Sequence, residues 1–205
     1  RVSFGVKKET LDEKDLKLVK YLIKHKHTSP FEHNIVSFEF QVPLFVARQH
    51  MRHRTWSFNE ISRRYTKKDI SFYQPDSFRT QHEVNRQASN LDLVDPVLSV
   101  VQGATANWET KASAALSRHV ADSLKLYNNL LAGGVCKEQA RMVLPQNLYT
   151  TYIGTCNLSN LIKFIKLRDH EGAQEEIRQV AIACRQIVQQ LWPEIIEALY
   201  EEQNA

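Results

Sequence analysis

The sequence contains few cysteines, no long apolar run and no strong excess of one charge. Its three cysteines, Cys136, Cys156 and Cys184, form no pair at the two-residue spacing of zinc or redox motifs. We therefore expect reduced, mostly buried thiols. No run approaches the roughly 20 apolar residues of a membrane span, and the charged residues 7–9 stand where a signal peptide would be apolar. These absences predict a cytoplasmic protein with no membrane partner.

Recognised nucleotide and metal motifs are also absent: the sequence has no GxGxxG, no P-loop and no GxSxG pattern. His25 and His27 would lie on one face of an extended chain, but no carboxylate or cysteine stands at a recognised ligand spacing. Lys24 and Lys26 flank the two histidines. We predict no metal site and interpret this stretch as a polar ligand-binding loop or an exposed helix C-terminus, which favours cations.

The sequence does contain a local concentration of positive charge at residues 48–68. This segment has seven Lys or Arg and one Glu, a net charge of +6, whereas the whole chain carries +4. Such a distribution indicates a local anionic site, because a nucleic-acid binder would usually spread its basic residues over a longer face. The alternatives are a solvated basic loop and a nucleic-acid-binding regulator that uses this 48–68 patch.

Particular side chains in this segment suit a phosphorylated, base-like ligand. In an extended stretch Ser62 and Arg64 would point the same way, and a hydroxyl with a guanidinium on one face makes a good phosphate clamp. Gln49 offers both a donor and an acceptor to the amide edge of a base. The residues alone predict a binder of a small nucleotide-like molecule and do not identify a reaction.

The periodicities predict one α+β domain over residues 1–205, with more helix than strand. The first predicted elements are a helix from a capping box at 10–13 to about Lys24, a strand at 36–42, a helix from 44 to about 52 and an extended basic segment. A long loop with short helical pieces follows at 76–105, then a helix at about 106–132 and a short helix ending before Pro145. The last predicted elements are a strand at 147–155, a helix from Asn157 or Ser159 to about Arg168, an amphipathic helix at 177–191 and a helix after Pro193.

The basic segment also matches a known pattern. Arg52, His53 and Arg54, followed after seven residues by Ser62, match the signature of the flavin-dependent thymidylate synthases. The sequence resembles that family in order and spacing at RVS (1–3), HTSPFEH (27–33), FVARQ (45–49), NEISRRY (59–65), ARMVLP (140–145), NLYT (147–150) and LR (167–168). Residues 76–110 are outside the resemblance and longer than in compact members. Because the chain begins at RVS, we expect the family's first strand to be absent or shortened, with a few native residues missing.

This resemblance implies a fold and an activity. The fold would be a twisted, mainly antiparallel sheet flanked by helices, the thymidylate synthase-complementing protein-like fold. The reaction would be reductive methylation of dUMP to dTMP without a cysteine nucleophile. The carbon would come from 5,10-methylenetetrahydrofolate and the hydride from FAD reduced by NADPH. The resemblance also implies a homotetramer whose subunits share active sites, with small-molecule substrates and no nucleic-acid partner.

The resemblance implies site residues at matching positions. Arg168 would be catalytic, as a cation that polarises the uracil and favours its N3-deprotonated form. The implied dUMP-binding residues are Gln49, His50, Met51, Arg52, Glu60, Ile61, Ser62, Arg63, Arg64, Arg168 and, from a neighbouring subunit, Arg141. The implied FAD-binding residues are His27, Ser29, Arg52, His53, Arg54, Glu60, Asn157, Leu158, Ser159 and Lys163. Lys163 stands where family members often carry Asn.

Overall fold

The fold is described from a computed structural model of the chain. It describes residues 5, 8–85, 88–102 and 106–203, and their side chains except those of 101–102, 106–107 and 199–203. The elements follow in the order α1 (Glu13–Lys24), α2 (Ser29–Glu32), β1 (Ile35–Pro43), α3 (Leu44–His50), β2 (Ser57–Glu60), β3 (Phe78–Gln81), β4 (Ser89–Val94), β5 (Val97–Gln102), β6 (Ala106–Lys111), α4 (Ala112–Ala132), α5 (Lys137–Ala140), a 3-10 turn (Arg141–Val143), β7 (Tyr149–Asn157), α6 (Leu158–Arg168), α7 (Glu175–Leu191) and α8 (Pro193–Gln203).

The chain divides into two compact units. Unit 1 comprises Arg1–Val36, Cys156–His170 and Arg178–Ala205, and unit 2 comprises Ser37–Thr155 and Glu171–Ile177. The prediction of one domain over residues 1–205 stays a prediction. No helix among the described residues is both long and apolar enough to cross a membrane.

Unit 1 is mainly helical, and two of its helices, α1 and α6, begin at side-chain caps. The capping box of α1 is formed by Asp12 and Asp15, each of which accepts a hydrogen bond from the other's backbone N–H. The predicted box at Thr10 is therefore wrong, because Asp12 is itself a strong N-cap residue with a carboxylate three positions later. The predicted cap of α6 is confirmed, since Asn157 Oδ1 accepts from the Asn160 N–H at 2.9 Å.

The central sheet has the strand order β1-β7-β2, and β2 pairs antiparallel with β7. Alternate residues of β1 are buried at Phe38, Phe40 and Val42, as the apolar alternation predicts. In β7 the buried face includes Thr150 and Tyr152, whose neighbours along the strand are more exposed. The strands predicted at 36–42 and 147–155 are confirmed, and so is the α+β class.

An aromatic cluster in unit 2 fixes the end of α3. His50 is fully buried, its Nδ1 lies 2.8 Å from the Tyr152 hydroxyl, and its ring contacts Phe40 and Trp56 edge-on. Gly154 leaves the space for this packing, because a Cβ there would lie 2.8 Å from a ring carbon of Phe40. This packing therefore fixes the position of His50, the last residue of α3, where the chain continues into the basic segment.

In the described part of residues 76–111, which leaves out 86–87 and 103–105, the structure differs from the sequence prediction. In place of a long loop with helical pieces, the structure has the antiparallel pairs β3–β4 and β5–β6, and α4 begins at Ala112 instead of about 106. The start of α4 is held by Asp95, which accepts from the N–H and the hydroxyl of Ser113. This contact spans 18 residues, so a local reading of the sequence misses it.

Candidate functional site

The basic segment of unit 2 opens into a cavity of about 420 Å³, which we call the arginine cavity. Its wall combines cationic, acidic and apolar side chains from α3, β2, α5 and β7. The lining residues are Leu44, Arg48, Glu60, Ile61, Arg63, Glu138, Arg141, Met142, Leu144, Gln146, Leu148 and Thr150. Four residues predicted to bind dUMP, namely Glu60, Ile61, Arg63 and Arg141, line this cavity within one chain. The resemblance implies that the Arg141 at a nucleotide comes from a neighbouring subunit, and that assignment stays a prediction.

Glu60 is the last residue of β2, and its carboxylate is fixed by the neighbouring strand. Its Oε1 accepts a hydrogen bond from the buried Thr150 hydroxyl at 2.6 Å. The pairing of β2 with β7 continues one residue further, because the Ile61 N–H donates to the Thr151 carbonyl. Thr150 thus orients an acceptor toward the cavity, although sequence analysis did not single it out.

The residues after Ile61 form a turn, so the predicted extended geometry is wrong. The N–H groups of Tyr65 and Thr66 both donate to the Ser62 carbonyl. Ser62 Oγ accepts from the Arg64 N–H at 3.3 Å, a short side-chain turn that Ser commonly makes. Ser62 and Arg64 are still adjacent, but because of this turn and not because of strand alternation.

Arg63 is occupied by the protein itself. Its side chain is buried to 9% exposure, and its guanidinium donates to the carbonyls of Lys68 and Asp69. Asp69 adopts a left-handed backbone conformation (φ 52°), which the double contact of Arg63 helps to hold. In this structure Arg63 contributes to the cavity mainly by holding the 62–69 turn in place.

Arg64 and Arg141 meet at Glu138, a residue that sequence analysis did not assign. The Arg64 guanidinium lies 3.6 Å from the Glu138 carboxylate, and Arg141 Nε donates to the Glu138 carbonyl at 3.2 Å. Glu138 precedes Arg141 by three residues on the short helical segment α5 and the 3-10 turn. This spacing could have pointed to Glu138 from the sequence, because residues three apart on a helix share a face.

The end of α3 and the two residues after it carry four more residues predicted for the nucleotide, Gln49, His50, Met51 and Arg52. In the part of the chain that the structure describes, the buried Oε1 of Gln49 has no hydrogen-bond partner. A buried amide oxygen normally finds one. Met51 is half-buried and Arg52 is exposed. His50 was predicted as a nucleotide residue, but its imidazole lies inside the aromatic cluster, so any contact it makes to a ligand is through its backbone.

Unit 1 contains a second cavity of about 340 Å³, which we call the lysine-rimmed cavity. Its floor is apolar and its edge is cationic. It is lined by Leu22, Ile23, Lys26, His27, Thr28, Phe31, Ser159, Ile162, Lys163 and Lys166. Three residues predicted to bind FAD, namely His27, Ser159 and Lys163, lie in this wall.

Local structure explains the cationic edge. Lys163 and Lys166 are three residues apart on α6 and therefore share a face. Lys26 follows the end of α1 in a left-handed conformation (φ 57°), which brings the chain out of the helix and into the His27 loop. The sequence showed these lysines, but not that two separate segments bring them to one cavity.

The other predicted flavin residues have different surroundings. Leu158 is fully buried and Asn157 Oδ1 caps α6, so neither lines the lysine-rimmed cavity. Ser29 is exposed at the start of α2. In unit 2, Arg54 is exposed and His53 is half-buried.

Arg168, the predicted catalytic residue, ends α6. Its side chain is half-buried, and burial lowers the pKa of its guanidinium from the ordinary value of 12.5. Arginine remains charged at neutral pH even when its pKa is lowered, because its ordinary pKa is so high. The next residue, Asp169, accepts a hydrogen bond from Arg185 Nε at 2.7 Å, which holds the end of the helix.

The described residues contain no group of three or more His, Cys, Asp or Glu that could hold a metal ion. The arginine cavity is suited to a compact anion, and the lysine-rimmed cavity to a flat apolar group with anionic substituents.

Comparison with known proteins gives concordant matches over nearly the whole chain. A family model described as thymidylate synthase complementing protein matches residues 1–194. The flavin-dependent thymidylate synthase of Thermus thermophilus is 43% identical over 98% of this chain and 69% of its own length. That of Thermotoga neapolitana is 39% identical over 97% of this chain and 81% of its own length. The crystal structure of a UMP/dUMP methylase, PolB from Streptomyces cacaoi, bound with 5-Br UMP matches with a TM-score of 0.77 and 31% identity, over 95% of this chain and 85% of PolB.

Proposed function

Since the chain belongs to the thymidylate synthase complementing protein family, which includes the flavin-dependent thymidylate synthases, we propose that it converts dUMP to dTMP by reductive methylation. The carbon donor is 5,10-methylenetetrahydrofolate, and FAD reduced by NADPH supplies the hydride. The observation that carries this proposal is the arginine cavity, in which Glu60, Ile61, Arg63 and Arg141 line one wall and Arg64 adjoins Glu138.

The nucleotide fits the chemistry of the arginine cavity. Arg64 and Arg141 offer guanidinium donors for charge-assisted bonds to a phosphate, and Ser62 offers a hydroxyl that lies 3.3 Å from the Arg64 backbone nitrogen. Gln49, whose buried Oε1 lacks a partner among the described residues, suits the amide edge of uracil. Glu60, held by Thr150, provides a fixed acceptor near the nucleotide.

FAD fits the lysine-rimmed cavity in part. The apolar floor formed by residues such as Ile23 and Phe31 suits one of the flat rings of the cofactor. Lys26 and Lys163 suit its pyrophosphate, because ammonium groups bind phosphates as point charges. When bound, FAD supplies the hydride. The residues of the cavity bind the cofactor and exclude water from one of its faces.

Two of the three cysteines do not suit a nucleophilic role, which supports a reaction without a cysteine nucleophile. Burial raises the pKa of the Cys156 thiol and that of the Cys184 thiol to about 12, so both are protonated at neutral pH and unreactive. Cys136 is exposed. Arg168 takes the activating role: its fixed positive charge stabilises the negative charge that develops on the uracil when N3 loses its proton.

The family resemblance supports a homotetramer with shared active sites in the cytoplasm. Large aliphatic side chains are exposed on β4 and β5, including Leu91 at 84%, Leu93 at 63% and Val97 at 61%. Exposed apolar surface of this kind often marks a contact with another protein. We assign this surface to subunit contacts within the tetramer.

A turnover assay tests the proposal. Purified protein is incubated anaerobically with dUMP, methylenetetrahydrofolate, FAD and NADPH, and dTMP is quantified by chromatography. We expect dTMP only in the complete mixture, with no product when any one component is omitted. Flavin-independent dTMP formation, or no dTMP from a folded, flavin-loaded protein, would contradict the proposal.

A further inference from the structure

We infer that Glu138 determines how many phosphate groups the arginine cavity accepts, and that it selects a nucleoside monophosphate over the di- and triphosphates. The inference rests on the proposed function, because it assumes that a uracil nucleotide binds in this cavity. It concerns a residue outside the family positions to which the sequence resemblance points.

Glu138 is the common partner of the two arginines expected at the phosphate. Its carboxylate lies 3.6 Å from the Arg64 guanidinium, and its carbonyl accepts from Arg141 Nε at 3.2 Å. Glu138 also lines the cavity. Its negative charge is therefore placed beside the cations that receive the phosphate, and not on a distant surface.

The charges around the cavity match a monophosphate. Its lining includes Arg48, Arg63, Arg141, Glu60 and Glu138, and Arg64 adjoins Glu138. Four arginines and two glutamates leave a net charge of +2. A phosphate monoester carries about −1.5 to −2 at neutral pH, so it neutralises the cavity. Each added phosphate brings at least one further negative charge, which Glu138 repels.

The other charged groups near this wall do not replace Glu138. Glu60 is held by the Thr150 hydroxyl, and Arg63 by the carbonyls of the 68–69 segment. The Lys137 ammonium lies outside the cavity lining and donates to the Tyr65 carbonyl. Glu138 is thus the acidic group in direct contact with a phosphate-binding guanidinium. Its carboxylate is largely exposed, so the selectivity it gives is moderate.

Calorimetric titration of the FAD-loaded protein with dUMP, dUDP and dUTP tests the inference. We expect Glu138→Gln to raise the affinity for dUTP relative to dUMP by about two- to fivefold, the effect of one exposed charge at a protein surface. Glu138→Asp keeps the charge and should keep the selectivity. Glu39→Gln, on an exposed position of β1, is the matched control for loss of one negative charge and should change nothing.

Each outcome separates the alternatives. An unchanged dUTP to dUMP ratio in Glu138→Gln would overturn the inference. So would an equal loss of selectivity in Glu138→Asp, which would show that the contact geometry and not the charge matters. Failure of the unsubstituted protein to bind any of the three nucleotides would instead contradict the proposed function. The charge effect should also shrink as salt is raised, because salt screens exposed charges.

Discussion

The two cavities of this protein hold their cations in different ways. In the arginine cavity the charged groups contact one another or the backbone: Arg64 meets Glu138, Arg63 binds two carbonyls and Glu60 accepts from Thr150. In the lysine-rimmed cavity the ammonium groups stand at the edge of an apolar floor. A fixed polar network suits a small ligand of defined charge, whereas flexible lysines around an apolar floor suit a larger ligand with a flat ring.

This difference predicts which substitutions separate nucleotide binding from flavin binding. Changes at Arg64 and Glu138, which the resemblance does not assign to the flavin, should affect dUMP and leave FAD in place. Changes at the lysine rim should affect FAD weakly, because each lysine is one cation among several and two of them, Lys26 and Lys163, are exposed. Arg168 lies on the helix that lines the lysine-rimmed cavity, yet we expect it to act on the nucleotide, and it gives the strongest test.

Arg168→Ala should have the largest effect. Loss of a fixed charge that stabilises the transition state should lower kcat by on the order of 10²–10³-fold, while FAD stays bound. Single-turnover flavin oxidation with dUMP and methylenetetrahydrofolate measures the step, and the visible spectrum measures flavin content. Arg168→Lys, which keeps a cation, is the matched control and should retain part of the activity. Normal turnover by Arg168→Ala would rule out the activating role.

Ser62→Ala should weaken dUMP binding by about tenfold and leave measurable turnover. The estimate corresponds to one hydrogen bond to a charged group, since Ser62 is assigned as a phosphate ligand and not a nucleophile. Calorimetry gives the dissociation constant and saturation kinetics give kcat. Unchanged dUMP binding combined with complete loss of product would show that the hydroxyl has a chemical role.

Thr150→Val should have a smaller effect, about fivefold weaker dUMP binding, because Glu60 loses the hydroxyl that orients its carboxylate. Thr151→Val changes a neighbour on the opposite face of β7 and serves as the control. If both variants bind dUMP equally well, the Thr150–Glu60 contact does not organise the site.

Lys163→Asn should have the smallest effect, a change of about threefold or less in FAD affinity and none in dUMP affinity. Lys163 is exposed, and the substitution introduces the residue often found in family members at this position. Fluorescence titration with FAD measures the change. A loss of tenfold or more would mean that the lysine rim supplies most of the flavin affinity in this protein.

Most of the fold could be predicted where local patterns determine it. The alternation at 36–42 and the β-rich run at 147–155 gave the two longest strands, because each has one buried face. Prediction failed at 76–111, where the pairing of β5 with β6 and the Asp95 cap of α4 depend on partners distant in sequence. For that reason the sequence predicts a start of this helix at about residue 106, whereas α4 begins at Ala112.

Only part of the site could be predicted from the sequence, because the rest also depends on residues that are distant along the chain. The basic segment predicts Ser62 and Arg64 as neighbours, and the family resemblance adds Glu60, but the extended geometry predicted for Ser62 and Arg64 is a turn in the structure. Glu138 and Thr150 could not be found from charge or spacing in the basic segment, since they lie about 75 and 90 residues further along the chain. Only the pairing of β2 with β7 and the packing of α5 bring them to the cavity.

The visible spectrum of the protein tests the central claim, that one chain combines a flavin site with a uracil nucleotide site, most directly. FAD is added, excess is removed, and NADPH is then added anaerobically with and without dUMP. The account predicts a retained flavin spectrum that bleaches with NADPH and changes when dUMP is present. A protein that keeps no flavin, or a bound flavin that does not respond to either ligand, would contradict it.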